Sequence, residues 1–216
     1  MSVDSNSKTS TTIILIRHGL TSSTGKILPG RTPGLFLSNE GISQAQQVGQ
    51  RIAKTTKLDA LYSSPMERTI QTAQQISKFC NIDLQIDEGL LECDFGSWTG
   101  KELKELMKDP AWQNVQHWPS GFSFPQGESF LQMQHRITST LSKLQEKHIG
   151  QTIAAVSHAD PIKAALAHAM GIHLDLFQRL IVSPCSMSIL NYNSLGINIL
   201  GVNNICELPL GNKGDK

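Results

Sequence analysis

The stretch TTIILIRHGL, residues 11–20, begins as a strand and ends as something else. Ile13, Ile14, Leu15 and Ile16 are apolar at every position, the pattern of a strand buried on both faces. Arg17 and His18 follow side by side, and then Gly19, a residue that lets the backbone turn. A buried strand therefore stops on two groups that bind anions.

Further strand-like runs lie at residues 60–62, 84–86, 152–156, 187–192 and 197–202, with the first at 12–16. Helical periodicity fills most of the gaps. Ile42, Ala45, Val48 and Ile52 form one stripe, and Ile70, Ala73, Ile76 and Phe79 a second. Phe130, Met133, Ile137, Leu141 and Leu144 form a third. Ser64-Pro65-Met66-Glu67 reads as a helix start, with a capping hydroxyl, a first-turn proline and a glutamate three residues after the cap. Asp160-Pro161 reads the same way before the stripe Ile162, Ala165, Leu166, Ala169, which stops at Gly171. Alternating strands and helices predict an α/β fold, a three-layer α/β/α sandwich around a mainly parallel central sheet. Residues 1–11 and 211–216 read as mobile tails, and 12–210 as a single domain.

Composition narrows the function classes. With 216 residues, 39% hydrophobic and 17% charged, the chain can bury a substantial core. Lys+Arg 19 against Asp+Glu 18 gives a net charge of +1, which argues against a nucleic-acid or acidic-lipid surface. Cys80, Cys93, Cys185 and Cys206 show no C-x-x-C pair or zinc-ligand spacing, so free thiols in a reducing cytoplasm are expected. The opening MSVDSNSKTST lacks the basic-then-apolar pattern of a signal peptide, and no apolar run is long enough to span a membrane.

Open parallel sheets bind ligands beyond the carboxyl ends of their strands. Those ends carry reactive groups here. The first strand ends in Arg17-His18, the second runs into Ser63-Ser64 with Arg68 in the next helical turn, the third leads to Glu92, and another ends in Ser157-His158. Together they suit phosphoryl transfer. Two guanidiniums bind phosphate oxygens in bidentate fashion. A neutral imidazole can attack phosphorus, and Arg17 beside His18 opposes protonation of that ring. A carboxylic acid can protonate a departing alkoxide and then accept a proton from water. A second histidine, protonated, would neutralise charge on the equatorial oxygens. No metal or other cofactor is required by such a set.

Arg17-His18-Gly19 after an apolar strand, Arg68 in R-x-x-x-T-A, Glu92 in E-x-x-x-G-x-W-x-G, and Ser157-His158 resemble, in that order, the histidine phosphatase superfamily, which includes the phosphoglycerate mutases. The resemblance spans residues 13–190. It implies a phosphoglycerate mutase-like fold, His18 as phosphorylated nucleophile and Glu92 as proton donor, with Arg17, Arg68 and His158 completing the phosphate pocket. Gly30-Arg31-Thr32-Pro33-Gly34 and Asp160-Pro161-Ile162-Lys163 look like a bacterial branch labelled phosphomutase.

Two positions depart from the family pattern. Thr24 stands where the family often has asparagine, and a hydroxyl from Ser22, Ser23 or Thr24 is the alternative phosphate ligand. Ala159 replaces a glycine, which is tolerable if the backbone there keeps φ negative. The cofactor-dependent mutases follow the acid with arginine; Cys93, Phe95 and Trp98 here match the phosphatase form. The expectation is a metal-independent phosphomonoesterase acting on a small phosphorylated metabolite, with a phosphomutase as the alternative and a non-catalytic phospho-ligand binder behind it. Residues 101–126, with Trp112, Trp118, Phe122 and Phe124, read as a cap-like insertion or a packed part of the domain. Arg31 reads as a solvated loop residue or as the holder of a substrate carboxylate or second phosphate. Asp160 reads as a helix cap or a substrate contact. The oligomeric state is open, a homodimer being one option.

Overall fold

A computed structural model describes residues 9–205. Its six strands are β1 (Thr11–Arg17), β2 (Ala60–Ser63), β3 (Leu84–Ile86), β4 (Thr152–Ser157), β5 (Met187–Asn193) and β6 (Gly196–Asn204). They lie in one sheet in the order β3-β2-β4-β1-β5-β6. The pairs β3/β2, β2/β4 and β4/β1 are parallel, whereas β5 runs antiparallel to both β1 and β6. Five strands thus point one way and β5 alone the other, so the sheet is mixed but mainly parallel.

The central strands are apolar on both sides because both sides are covered. Ile13 and Leu15 of β1 pack toward α5 (Phe130–Lys147) and α6 (Ala159–Ala169). Ile14 and Ile16 pack toward α1 (Asn39–Thr55) and α2 (Glu67–Cys80). These are the three expected layers. All five residues of the Phe130 stripe are buried in α5, as are Ala45, Val48 and Ile52 in α1.

The stripe expected for α2 is only half right. Phe79 is 42% exposed, and the inward face is instead Arg68, Thr69, Thr72, Ala73 and Ile76. This helix turns polar side chains inward because its first two turns face the reactive strand ends rather than the apolar core. Its start also differs: Met66 occupies the cap position without a side-chain hydrogen bond of its own, and Ser64 Oγ, which accepts from the Met66 amide at 3.5 Å, also pairs with His158. Likewise α6 begins at Ala159, with His158 before it, so Asp160 lies inside the first turn and pairs with Lys163 at 3.5 Å. A carboxylate there is favoured by the helix dipole without capping anything.

Residues 101–126 form two short helices, α3 (Leu103–Leu106) and α4 (Trp112–His117), and a 3₁₀ turn. Trp112, Phe122 and Phe124 pack on the buried Trp98, while Trp118 is largely exposed. Most of the expected leading tail, residues 1–8, and the tail at 211–216 lie outside the described residues. Thr11, read as the end of that tail, is a buried part of β1.

Candidate active site

Register brings the two histidines together. Arg17 lies opposite Ser157 across the β1/β4 pair, so His18 and His158 leave the sheet side by side. Their rings are 5.3 Å apart and inclined at 65°, and the His18 amide donates to the Ser157 carbonyl at 3.0 Å. Gly19 is needed here for close approach, since a Cβ would stand 2.5 Å from the Gly41 carbonyl oxygen at the start of α1. The Gly19 amide donates to Thr72 Oγ1 at 3.1 Å, which ties the loop to α2.

His18 Nδ1 lies 2.8 Å from the Gly19 carbonyl oxygen, which can only accept. Nδ1 therefore carries the proton and Nε2 keeps its lone pair. Burial, reinforced by Arg68 and Arg17, pushes the pKa of this ring down to about 3. Neutrality and a fixed tautomer are what a nucleophilic imidazole requires. His158 is fully buried, and burial followed by the charge of Arg68 also holds it neutral in the protein alone. The protonated second histidine expected opposite a phosphate is therefore not the form that burial favours in the protein alone. Its Nε2 is 2.9 Å from Ser64 Oγ, and its Nδ1 has no protein partner.

Both arginines are anchored at one edge and open at another. Arg17 Nη1 donates to the Val182 carbonyl at 2.7 Å, and Arg68 Nη2 to the Gly30 carbonyl at 2.7 Å. Arg17 Nε and Arg68 Nε and Nη1 are buried without protein partners. Orphaned buried donors of this kind are expensive unless an anion meets them. Glu92 is buried too, and burial first, then the nearby charge of Asp160, pushes its pKa up to about 7. It can hold a proton near neutrality, as a general acid must. The cluster then carries two guanidinium charges against a neutral carboxyl, a match for a phosphate dianion.

Arg17, His18 and Glu92 line a cavity of about 400 Å³, with Arg68 and His158 buried out of its lining. Ala159 and Asp160 also line it, so the amide pole of α6 faces the same space. Ala159 has a helical, negative φ, which removes the objection to it. Thr24 lines the cavity, but its Oγ1 accepts from the Thr21 amide at 3.0 Å. Ser23 Oγ and Thr21 Oγ1 pair at 3.1 Å. Arg31 does not line this cavity: its guanidinium donates to the Glu92 carbonyl at 2.9 Å and to Glu128 at 3.1 Å, and borders a separate cleft. Of the two readings of Arg31, solvated loop residue or substrate contact, neither describes these bonds to Glu92 and Glu128. Among the described residues, no group of three or more His, Cys, Asp or Glu is placed to hold a metal ion.

The sequence profile of the histidine phosphatase superfamily (branch 1) matches residues 13–205. The chain belongs to that superfamily. Phosphoserine phosphatase 1 of Hydrogenobacter thermophilus is 30% identical over 202 residues, covering 91% of this chain and 93% of the relative. A probable phosphoglycerate mutase of Proteus mirabilis is 29% identical over 186 residues, or 84% and 85% of the two chains. Among solved structures, a mutant phosphoserine phosphatase from Entamoeba histolytica in complex with phosphoserine superposes with a TM-score of 0.82 at 27% identity, covering 90% of this chain and 98% of that one. The histidine phosphatase fold expected from the sequence is the observed one.

Several residues around this superfamily site were not singled out from the sequence. Lys163, one residue of the Asp160-Pro161-Ile162-Lys163 motif, lines the cavity together with Gln178 and residues 180–182. Ser64 was read as a cap and Thr72 as part of a motif. Their contacts with His158 and Gly19 depend on the packing of α2 against the strand ends. A serine at the end of a strand that neighbours the His158 strand was the one available signal.

Proposed function

We propose that the chain is a metal-independent phosphomonoesterase of small phosphorylated metabolites, working through a phosphohistidine at His18. The observation that carries this reading is a neutral His18 with Nε2 free, set between two buried guanidiniums and a carboxyl that is protonated near neutrality. Nε2 attacks phosphorus as the ester P–O bond breaks, and Glu92 gives its proton to the leaving alkoxide. Water then attacks the phosphohistidine while Glu92 takes up a proton, the P–N bond breaks, and inorganic phosphate leaves. Arg17, Arg68 and His158 hold the phosphoryl oxygens throughout, and Thr24 borders the site as a secondary polar contact.

Lys163 in the lining of the cavity supports a substrate with a second anionic group, such as phosphoserine or a phosphoglycerate. The relatives named phosphoserine phosphatase favour the same class. The mutase reading draws on the relative from Proteus mirabilis, but the position after Glu92 is the buried Cys93 rather than an arginine that could hold a phosphoglycerate carboxylate. We read residues 12–210 as one catalytic domain with 101–126 capping it, and place the protein in the cytoplasm, in keeping with the free thiols of Cys93 and Cys185. No helix among the described residues is long and apolar enough to cross a membrane.

Phosphate release from phosphoserine, 3-phosphoglycerate and sugar phosphates in the presence of EDTA tests the reading. Hydrolysis should persist, and a label trapped from substrate should be acid-labile and alkali-stable. An acid-stable label, or 2-phosphoglycerate formed from 3-phosphoglycerate faster than free phosphate, would overturn it.

A further inference from the structure

Glu92 sits in residues 91–95, which have neither helix nor strand, so no ladder of backbone hydrogen bonds holds it. Side chains from distant parts of the chain do so instead. Arg136 Nη1 donates to the carbonyls of Gly89 and Leu91 at 2.9 and 2.8 Å, and its Nη2 to the Glu92 carbonyl at 3.3 Å. Arg31 Nε donates to that same Glu92 carbonyl at 2.9 Å. Glu128 joins the two: it accepts from Arg136 Nε and Nη2, both at 2.8 Å, from Arg31 Nη2 at 3.1 Å and from the Asp94 amide at 3.2 Å. At the other end of the residue, Glu92 Oε1 accepts from the Cys93 amide at 2.9 Å. The carboxyl is thus fixed to its own backbone, and that backbone to Glu128.

Arg31, Glu128 and Arg136 all lie outside the lining of the His18 cavity. A carboxylate with 13% of its side chain exposed, held between two guanidiniums, fixes geometry in a way water cannot. We propose that Arg136 and Arg31, joined through Glu128, are positioning residues that hold the Glu92 carboxyl in reach of the leaving-group oxygen. This rests on the reading of Glu92 as the acid and base of the phosphatase reaction.

The test compares Arg136→Met with Glu92→Gln on phosphoserine, whose alkoxide needs a proton to leave, and on p-nitrophenyl phosphate, whose phenolate hardly does. A misplacement of about 1 Å can cost on the order of 10²-fold in rate. Arg136→Met should therefore lose roughly 10- to 10²-fold in kcat on phosphoserine with KM little changed. It should keep a burst of nitrophenol, and the upper limb of its pH–rate profile should move. Equal losses on both esters with an unmoved pH limb, while Glu92→Gln shows the ester-dependent loss, would overturn the positioning role and leave the phosphatase reading standing. If Glu92→Gln itself shows no ester dependence, the role of Glu92 falls and this inference with it. Should Arg136→Met fail to fold by circular dichroism, Arg31→Gln decides by the same criteria. It removes one donor to the Glu92 carbonyl, leaves the Arg136–Glu128 pair intact, and should show a smaller loss of the same kind.

Discussion

Ser64 Oγ stands 2.9 Å from His158 Nε2, a contact in which either the hydroxyl or the ring N–H can be the donor. A hydroxyl can donate to Nε2 only if the ring proton sits on Nδ1, the atom left without a protein partner. In that tautomer Nδ1 would offer a donor, not a lone pair, to the phosphate of the proposed reaction. Ser64→Ala should release the constraint. We expect Nδ1-protonated His158 in the native protein by ¹⁵N chemical shifts, a tautomer mixture in the variant, and a rate loss of roughly tenfold, about the 1.4 kcal/mol of one hydrogen bond. A native ring protonated on Nε2 would contradict this assignment.

The pH dependence follows from opposite displacements of two groups. His18 titrates at about 3, so it stays neutral and nucleophilic through the physiological range and sets no limb there. Glu92 titrates at about 7, so kcat/KM should fall above that pH as the general acid loses its proton. Glu92→Gln should abolish the limb, whereas a limb that survives in this variant would assign it to another group. Stability has its own signs. His18 is depressed from 6.5, so the unfolded chain binds more protons and this contribution, complete above 6.5, is lost as pH falls toward 3. Glu92 is raised from 4.5, so its contribution is complete below 4.5 and is lost as pH rises through about 7. Urea denaturation of the native protein and Glu92→Gln between pH 5 and 8 should show the native protein losing stability relative to the variant.

Much of this site was legible because it lies where strands stop. Arg17-His18 and Ser157-His158 each follow an apolar run, and a run of that kind fixes its strand within a residue or two. Glu92 could be found by its motif although its segment has no regular structure. What stayed hidden depends on packing between distant residues. Arg31 and Glu128 are 97 positions apart, so no local pattern could show that this arginine binds Glu128 and lies outside the lining of the His18 cavity. Ser64 before Pro65 reads as a cap by local rules, and only the β2/β4 pairing, with Ser63 opposite Val156, shows that its hydroxyl has a histidine to serve. Phe79 completes an apolar stripe, yet α2 is rotated to bring Arg68 and Thr72 inward.

Gly19 links His18 to the fold by proximity. Its absent Cβ would lie 2.5 Å from the Gly41 carbonyl oxygen, a backbone atom that cannot swing aside. Gly19→Ala should therefore cost about 1–3 kcal/mol, the usual range for overpacking. It should also lower activity by displacing the carbonyl that fixes the His18 tautomer. Calorimetry showing an unchanged Tm would mean that α1 yields easily at its first turn.

Lys163 gives the sharpest test of substrate class. Its ammonium is 3.0 Å from Gln178 Oε1 and 3.5 Å from Asp160 Oδ1, two acceptors for three protons. Its side chain is 17% exposed and the residue lines the same cavity as His18. Two acceptors leave one ammonium proton for a group on the proposed substrate. Hydrogen bonds to charged groups are worth roughly 1.5–3 kcal/mol, or about 10- to 10²-fold in binding. Lys163→Met keeps the stem over the Phe177 ring and removes the charge. KM for phosphoserine and 3-phosphoglycerate should rise by about that factor, while kcat/KM for p-nitrophenyl phosphate, which has no carboxylate, should stay near the native value. If both esters lose equally, Lys163 acts on the shared phosphoryl chemistry instead. If neither changes, the second anion is bound elsewhere in the cavity, and the mouth residues around Thr24 become the place to look.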